Sequence, residues 1–167
     1  TDHGTAIVVV PPDRWVEAHR TLREHLPFFS WLSAVHWSAE VAVGEPPSSE
    51  EAADRYEVLS RLADVSEGEA VILSTTIPAD DPALETISRV YGGAEWHERE
   101  TAEMFGIRFD GHPNLVKLYL PDGFEGHPLR KTFPLLSREV KPWPGSVDVE
   151  DMPSTENTEA PEGGGKA

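Results

Sequence analysis

ERETAEMFGIRFDGHPNLVKLYLPDGFEGHPLRKTFPL, residues 98–135, states one short phrase twice: Phe109-Asp110-Gly111-His112-Pro113 and, fifteen positions on, Phe124-Glu125-Gly126-His127-Pro128. In each copy an aromatic residue, an acid, a glycine, a histidine and a proline keep the same order, with basic residues beyond. Each histidine stands between a glycine, which tolerates positive φ, and a proline, which pushes the preceding residue toward extended backbone. Two tight, irregular turns are expected, each with its imidazole satisfying nearby backbone groups or a carboxylate. Gly and Pro recur through Pro134, leaving room for one strand, expected at Leu115 to Leu120.

Just upstream, the spacing predicts a helix from about Ala94 to Phe105, stopped by Gly106. At about 100° per residue Trp96, Met104 and Ile107 share a face, with Glu100 in its middle and Glu103 beside it. A carboxylate there admits two readings. One is a structural ion pair with Arg130 or Lys131, because buried charges are paired. The other is a perturbed carboxylate that transfers protons. His97, His112 and His127 raise the question of a metal, but the chain has no HExxH, no two histidines at i and i+4, and no cysteine ligand. Tight turns account better for His112 and His127.

Toward the N-terminus, Ala6 to Val10 is β-branched and reads as a strand ended by Pro11-Pro12. A helix is expected from Asp13, an N-cap residue type, with Trp15, Ala18, Leu22 and Leu26 on one face and Pro27 as its stop. Phe28 to Val43 reads as a strand, Gly44 to Asp54 as a solvated acidic loop, and Arg55 onward as a strand that a short helix fits almost as well. Ala70 to Ile77 is a clearer strand. Asp80-Asp81-Pro82 opens an expected helix carrying Leu84, Ile87, Val90 and Tyr91, ended by Gly92-Gly93. The fold class is α+β: two layers, a mixed sheet of about four or five strands, helices on one face, and an irregular C-terminal extension. Three regions are expected: a domain over 1–135, an extended segment over 136–147 around Trp143, and an acidic tail over 148–167 too poor in apolar residues to order itself.

Composition narrows the function. The formal charge of −16, from 30 acids against 14 bases, removes the phosphate-neutralising surface that nucleic-acid binding needs. The absence of cysteine removes disulfides, thiolate nucleophiles and the thiolate ligation of most iron-sulfur clusters. The longest apolar run falls far short of the roughly 20 residues that span a bilayer, and no signal region precedes it, so residence in the cytosol is expected. No GxSxG, phosphate loop or strand-linked GxGxxG is present.

These residues resemble the C-type (30 kDa-type) subunit of respiratory complex I, the proton-pumping NADH-quinone oxidoreductase, and its relatives in membrane-bound hydrogenases. The resemblance rests on Glu98-Arg99-Glu100, Phe105-Gly106-Ile107, Gly111-His112-Pro113, Pro121-Asp122, Glu125-Gly126-His127-Pro128-Leu129-Arg130-Lys131 and Pro134-Leu135. Upstream, Leu32-Ser33-Ala34-Val35-His36-Trp37 and Arg55-Tyr56-Glu57-Val58 carry a weaker likeness. Val116 stands where a base is usual, and Gly123-Phe124 and Thr132-Phe133 replace Asp-Trp and Asp-Tyr. The resemblance implies a peripheral-arm subunit with no cofactor and no catalytic residue of its own, on the cytoplasmic face of the cell membrane. It implies that the signature is a structural and interface motif docking to the D-type, quinone-site subunit beside the B-type and I-type iron-sulfur subunits, with Trp143 as an anchor. NADH, FMN, iron-sulfur clusters and quinone then belong to the other subunits. The parent complex is alternatively a hydrogenase or fed by ferredoxin. A reading of another class is a free-standing acid/base or metal-dependent enzyme built on Glu100, His112 and His127.

Overall fold

The computed structural model describes residues 5–38 and 54–134. The segments expected over 136–147 and 148–167, Trp143 among them, lie outside these residues, as does nearly all of the loop expected at Gly44 to Asp54. Four strands form a mixed sheet in the order β1-β4-β3-β2: β1 Ala6–Val9, β2 Phe28–Trp37, β3 Arg55–Asp64 and β4 Glu69–Pro78. Strand β1 runs parallel to β4, whereas β4 with β3 and β3 with β2 are antiparallel.

The alternation read from the sequence decides which way each strand faces. Leu32, Ala34 and His36 on β2, Tyr56, Val58 and Leu62 on β3, and Leu73 and Ile77 on β4 are buried on one face. Opposite them, Glu57 ties the outer face together by accepting from Ser74 and from the Trp37 indole. The β3–β4 hairpin closes because the Asp64 carboxylate accepts the Ser66 and Glu67 N–H groups while Gly68 takes φ 73°.

Both helices cover the buried face. Helix α1, Trp15–Leu22, follows a 3-10 turn at Pro12–Arg14. Asp13 is not its cap, because Pro12 sets the first turn and no side chain caps either start. The helix stops four residues short of Leu26, which is nonetheless buried. Trp15 is fully buried, and one turn on His19 bridges the Trp15 carbonyl (2.8 Å) and Ser60 of β3 (2.6 Å). Helix α2, Ala94–Phe105, lies over β2 and ends at Gly106 with φ 76°, the left-handed stop that the sequence places there.

Two elements differ from expectation. Asp80 to Tyr91 is no helix: Ala83–Glu85 is a short strand, β5, paired in parallel with β6, Arg108–Asp110, which the sequence does not announce. The Arg108 N–H donates to the Pro82 carbonyl and the Thr86 N–H to that of Asp110, so partners distant in sequence take the groups a helix would use. Only one helical turn remains, with Tyr91 N–H on the Ile87 carbonyl. Leu84, Ile87 and Tyr91 are buried all the same, by a different backbone. Nor do Leu115 to Leu120 form a strand; the reason lies in α2.

Candidate functional site

Helix α2 works as a staple. Its buried stripe is Ala94, Glu98, Thr101 and Phe105, with Glu103 also buried, whereas Trp96 is 60% exposed. The expected face is therefore rotated: Glu100 is half-buried and bonds to no described residue, and the buried acids are Glu98 and Glu103. Arg130, expected to pair with Glu100, instead donates to the Phe105 carbonyl at 2.6 Å and lies 5.8 Å from the Tyr56 ring centre. The Lys131 side chain is paired with no described acid; its backbone N–H donates to His36 Nδ1 at 3.0 Å.

Glu98 reaches backward. Its carboxylate accepts the Ile87 N–H at 2.7 Å and the Thr86 hydroxyl, and His112 Nε2 lies 3.7 Å away. Burial pushes its carboxyl up to about 7, against the pull of the Thr86 and Ile87 donors. His112 Nδ1 accepts the Asn114 N–H, so its Nε2 carries the proton and donates to the Glu95 carbonyl at 3.1 Å.

Glu103 reaches forward. Its carboxylate takes the N–H groups of Leu118 (2.9 Å), Tyr119 (2.9 Å) and Leu120 (2.6 Å). Three consecutive N–H groups aimed at one carboxylate cannot also alternate along a strand ladder, which is why no strand forms at Leu115 to Leu120. Burial alone would raise this carboxyl, but the three N–H donors together with Lys117 outweigh it and hold it below the usual range. Complementing this, Lys117 Nζ donates to the carbonyls of Pro121, Asp122 and Phe124. Arg99 grips the same segment, through Nε on the Val116 carbonyl (2.9 Å) and Nη2 on that of Lys117 (3.1 Å), with its guanidinium over Trp96.

The second phrase is tied to the end of α2. His127 Nδ1 donates to the Glu103 carbonyl at 2.7 Å, and the Leu129 N–H to that of Met104. A Cβ on Gly106 would lie 2.6 Å from His127 Nε2 and closer still to the Arg130 guanidinium, so glycine is needed for its φ and for its missing side chain. Gly126, at φ 87°, lets the Phe133 ring approach, and Phe133 stacks on Phe124. Gly111 likewise takes φ 81°. Pro113, Pro121, Asp122 and Glu125 are exposed and Pro128 is half-buried.

His97, His112 and His127 are not gathered: each holds a different backbone carbonyl, those of Leu32, Glu95 and Glu103. Among the described residues no group of three His, Cys, Asp or Glu side chains is placed to hold a metal ion. The arrangement leaves apolar side chains on a fastened backbone. Trp96, Val116, Tyr119 and Leu129 are 60%, 54%, 63% and 53% exposed, on backbone that α2 carries or fastens. Beside them opens a cavity of about 400 Å3 with Ala102, Ile107, Leu115, Leu120 and Phe124 among its walls, a setting for an apolar anchor from another protein. Sequence reasoning missed Glu103 as the organiser of Leu118 to Leu120, and Thr86, His19 and His36 as bonded buried groups. Glu98 stands three and seven residues before the buried Thr101 and Phe105, a same-face helical spacing, whereas Glu103, two residues from each, carries no such signal.

Residues 8–139 match the family described as the 30 kDa subunit of respiratory-chain NADH dehydrogenase. The chain belongs to this family. As a member of the 30 kDa-subunit family, it is 33% identical over 165 residues to the second C-type subunit of the NADH-quinone oxidoreductase of Rhizobium meliloti, covering 97% of this chain and 85% of that one. It is 39% identical over 107 residues, 64% of its length, to the C/D-type subunit of the NADH-quinone oxidoreductase of Pectobacterium atrosepticum, of which it spans only 18%. Among solved structures, a trypsin-resistant fragment of Nqo5 aligns at TM-score 0.56 and 25% identity, covering 69% of this chain and 86% of that one. A chain of the archaeal membrane-bound sulfane sulfur reductase aligns at TM-score 0.66 and 25% identity, with 81% and 76% covered. The expected resemblance to the C-type subunit is borne out, and so is the fold class. No described helix is long and apolar enough to cross a membrane.

Proposed function

We propose that this member of the 30 kDa-subunit family is a supporting subunit of a proton-translocating NADH-quinone oxidoreductase that docks to the D-type, quinone-site subunit. In this reading it carries no redox group. NADH, FMN, iron-sulfur clusters and quinone are held by other chains, the B-type and I-type iron-sulfur subunits among them, and the assembly holds it at the cytoplasmic face of the membrane. The observation that carries the reading is the fastened platform: Glu103, Arg99 and His127 turn their polar groups inward onto backbone, and Val116, Tyr119 and Leu129 are left facing outward. Such a surface is preorganised, so docking orders little further chain. The partner is suggested by the Pectobacterium relative, whose matching stretch is part of a single C/D polypeptide.

The test is affinity capture of the full chain from its own cell membranes, with co-purifying subunits identified by mass spectrometry. Recovery of a D-type subunit by the wild-type chain, and its loss with Tyr119→Asp/Leu129→Asp, is the expected result. Recovery of the chain alone would overturn the reading. The likeness to the sulfane sulfur reductase chain favours a second reading, the equivalent subunit of a related membrane complex with another electron donor. Capture without an NADH-binding flavoprotein would select it.

A further inference from the structure

Nine arginines lie among the described residues. Seven are engaged by a carboxylate, a carbonyl, a hydroxyl or a ring. The side chains of the remaining two, Arg20 and Arg89, bond to no described residue, and both line one cavity of about 480 Å3. Arg23 lines it too. Its guanidinium is held by the Val90 carbonyl and lies 5.0 Å from the Tyr91 ring centre, which fixes it in place and leaves further N–H groups free.

Arg20 lies on α1 and Arg23 just beyond it, whereas Arg89 comes from the turn after β5. Two acids share the wall. The Asp110 carboxylate is occupied by Arg108 at 2.9 Å, and the Glu85 carboxylate bonds to no described residue. Three guanidiniums thus meet one unengaged carboxylate on a chain whose net charge is −16. Exposed guanidiniums with no internal partner match carboxylates bidentately and specify where a partner docks.

We propose that this cavity docks an acidic segment of a neighbouring protein of the assembly, one presenting two Asp or Glu side chains, to Arg20 and Arg89, with Arg23 as the fixed third donor. The proposal rests on the reading of the chain as one component of an assembly. Two features favour separated peptide carboxylates over one compact dianion: the guanidiniums come from two elements, and Glu85 on the same wall repels concentrated negative charge most strongly.

The test uses the full chain in its own membranes. Arg89→Lys, treated with a zero-length carbodiimide, is expected to link position 89 to an Asp or Glu of a different protein of the assembly. Charge reversal at both sites, Arg20→Glu/Arg89→Glu, is expected to lower recovery of that protein about tenfold, while Arg20→Gln/Arg89→Gln lowers it less. The melting temperature of the purified chain is expected to stay unchanged, since neither arginine bonds within it. Links from position 89 confined to this chain's own acids such as Glu85, no link at all, or undiminished recovery with the reversed pair would overturn the proposal. If the wild-type chain brings down its neighbours and the reversed pair does so equally, only the acidic-segment docking fails. If the wild-type chain brings down none, the assembly reading fails and this proposal with it.

Discussion

Glu98 Oε2 lies 3.7 Å from His112 Nε2, and both side chains are fully buried. The pair joins the first acid of the signature helix to the first Gly-His-Pro turn, and through the Ile87 N–H it also pins the turn after β5. One carboxyl thus holds the turn after β5, and the first Gly-His-Pro turn packs beside it with His112 donating to the Glu95 carbonyl.

Glu98 should make stability fall as pH rises. Its ordinary value is 4.5 and burial pushes it up to about 7, so between these pH values the folded chain holds a proton that the unfolded chain has released. The stabilisation is full below pH 4.5 and is lost as pH rises through 7, a swing of about 3 kcal/mol. His19 acts oppositely. Burial lowers it from 6.5 to about 4, so its contribution is full above pH 6.5 and is lost as pH falls toward 4. Urea denaturation from pH 4 to 8 should therefore show partial cancellation in the wild type. With Glu98→Gln stability should rise with pH up to about 6.5, and with His19→Gln it should fall up to about 7.

Glu103→Gln should loosen Leu118 to Leu120. The amide offers one acceptor oxygen where two now take three N–H groups, and loss of a part-buried, charge-assisted bond costs about 1 kcal/mol. Amide hydrogen exchange should speed up at these residues while β3 and β4 keep their protection. Unchanged exchange there would show that the segment holds itself.

Gly106→Ala and Gly68→Ala compare strain with crowding. Both glycines have positive φ, 76° and 73°, but a Cβ at Gly68 meets nothing within 4 Å, whereas at Gly106 it meets His127 and Arg130. The Gly68 variant should lose about 1 kcal/mol from backbone strain alone. The Gly106 variant should lose about 3 kcal/mol or more and also weaken capture of the D-type subunit proposed as its partner, because His127 and Arg130 must move. Equal losses would show that crowding contributes nothing.

Tyr119→Ala should leave the chain's melting temperature within about 2 °C of wild type, as the side chain is 63% exposed, while the recovered amount of the D-type subunit proposed as its partner falls. A drop in melting temperature without any loss of recovery would make Tyr119 a fold residue.

Much of the large sheet was legible because alternation is local: Leu73 and Ile77 mark their buried face without reference to any other element, whereas Tyr56, Val58 and Leu62 fit a short helix almost as well until β2 and β4 pair on either side. The failures share one cause. Asp80 to Tyr91 has helical spacing, yet its donors are taken by Asp110 and Glu98, and Leu115 to Leu120 has strand composition, yet its donors go to Glu103. The apolar Trp96, Met104 and Ile107 led the face of α2 astray: the stripe that is buried carries Glu98, and Thr86 and Ile87 brought by the fold satisfy its carboxylate.

By itself the sequence determined the family, through the doubled Gly-His-Pro phrase and its flanking acids and bases, as well as β1, β2 and β4 of the main sheet and the helix stop at Gly106. Only the tertiary structure decided which acids are buried, what they hold, and which arginines are left without a partner. Backbone periodicity is written into neighbouring residues, but the satisfaction of a buried carboxylate depends on N–H groups brought to it by the fold.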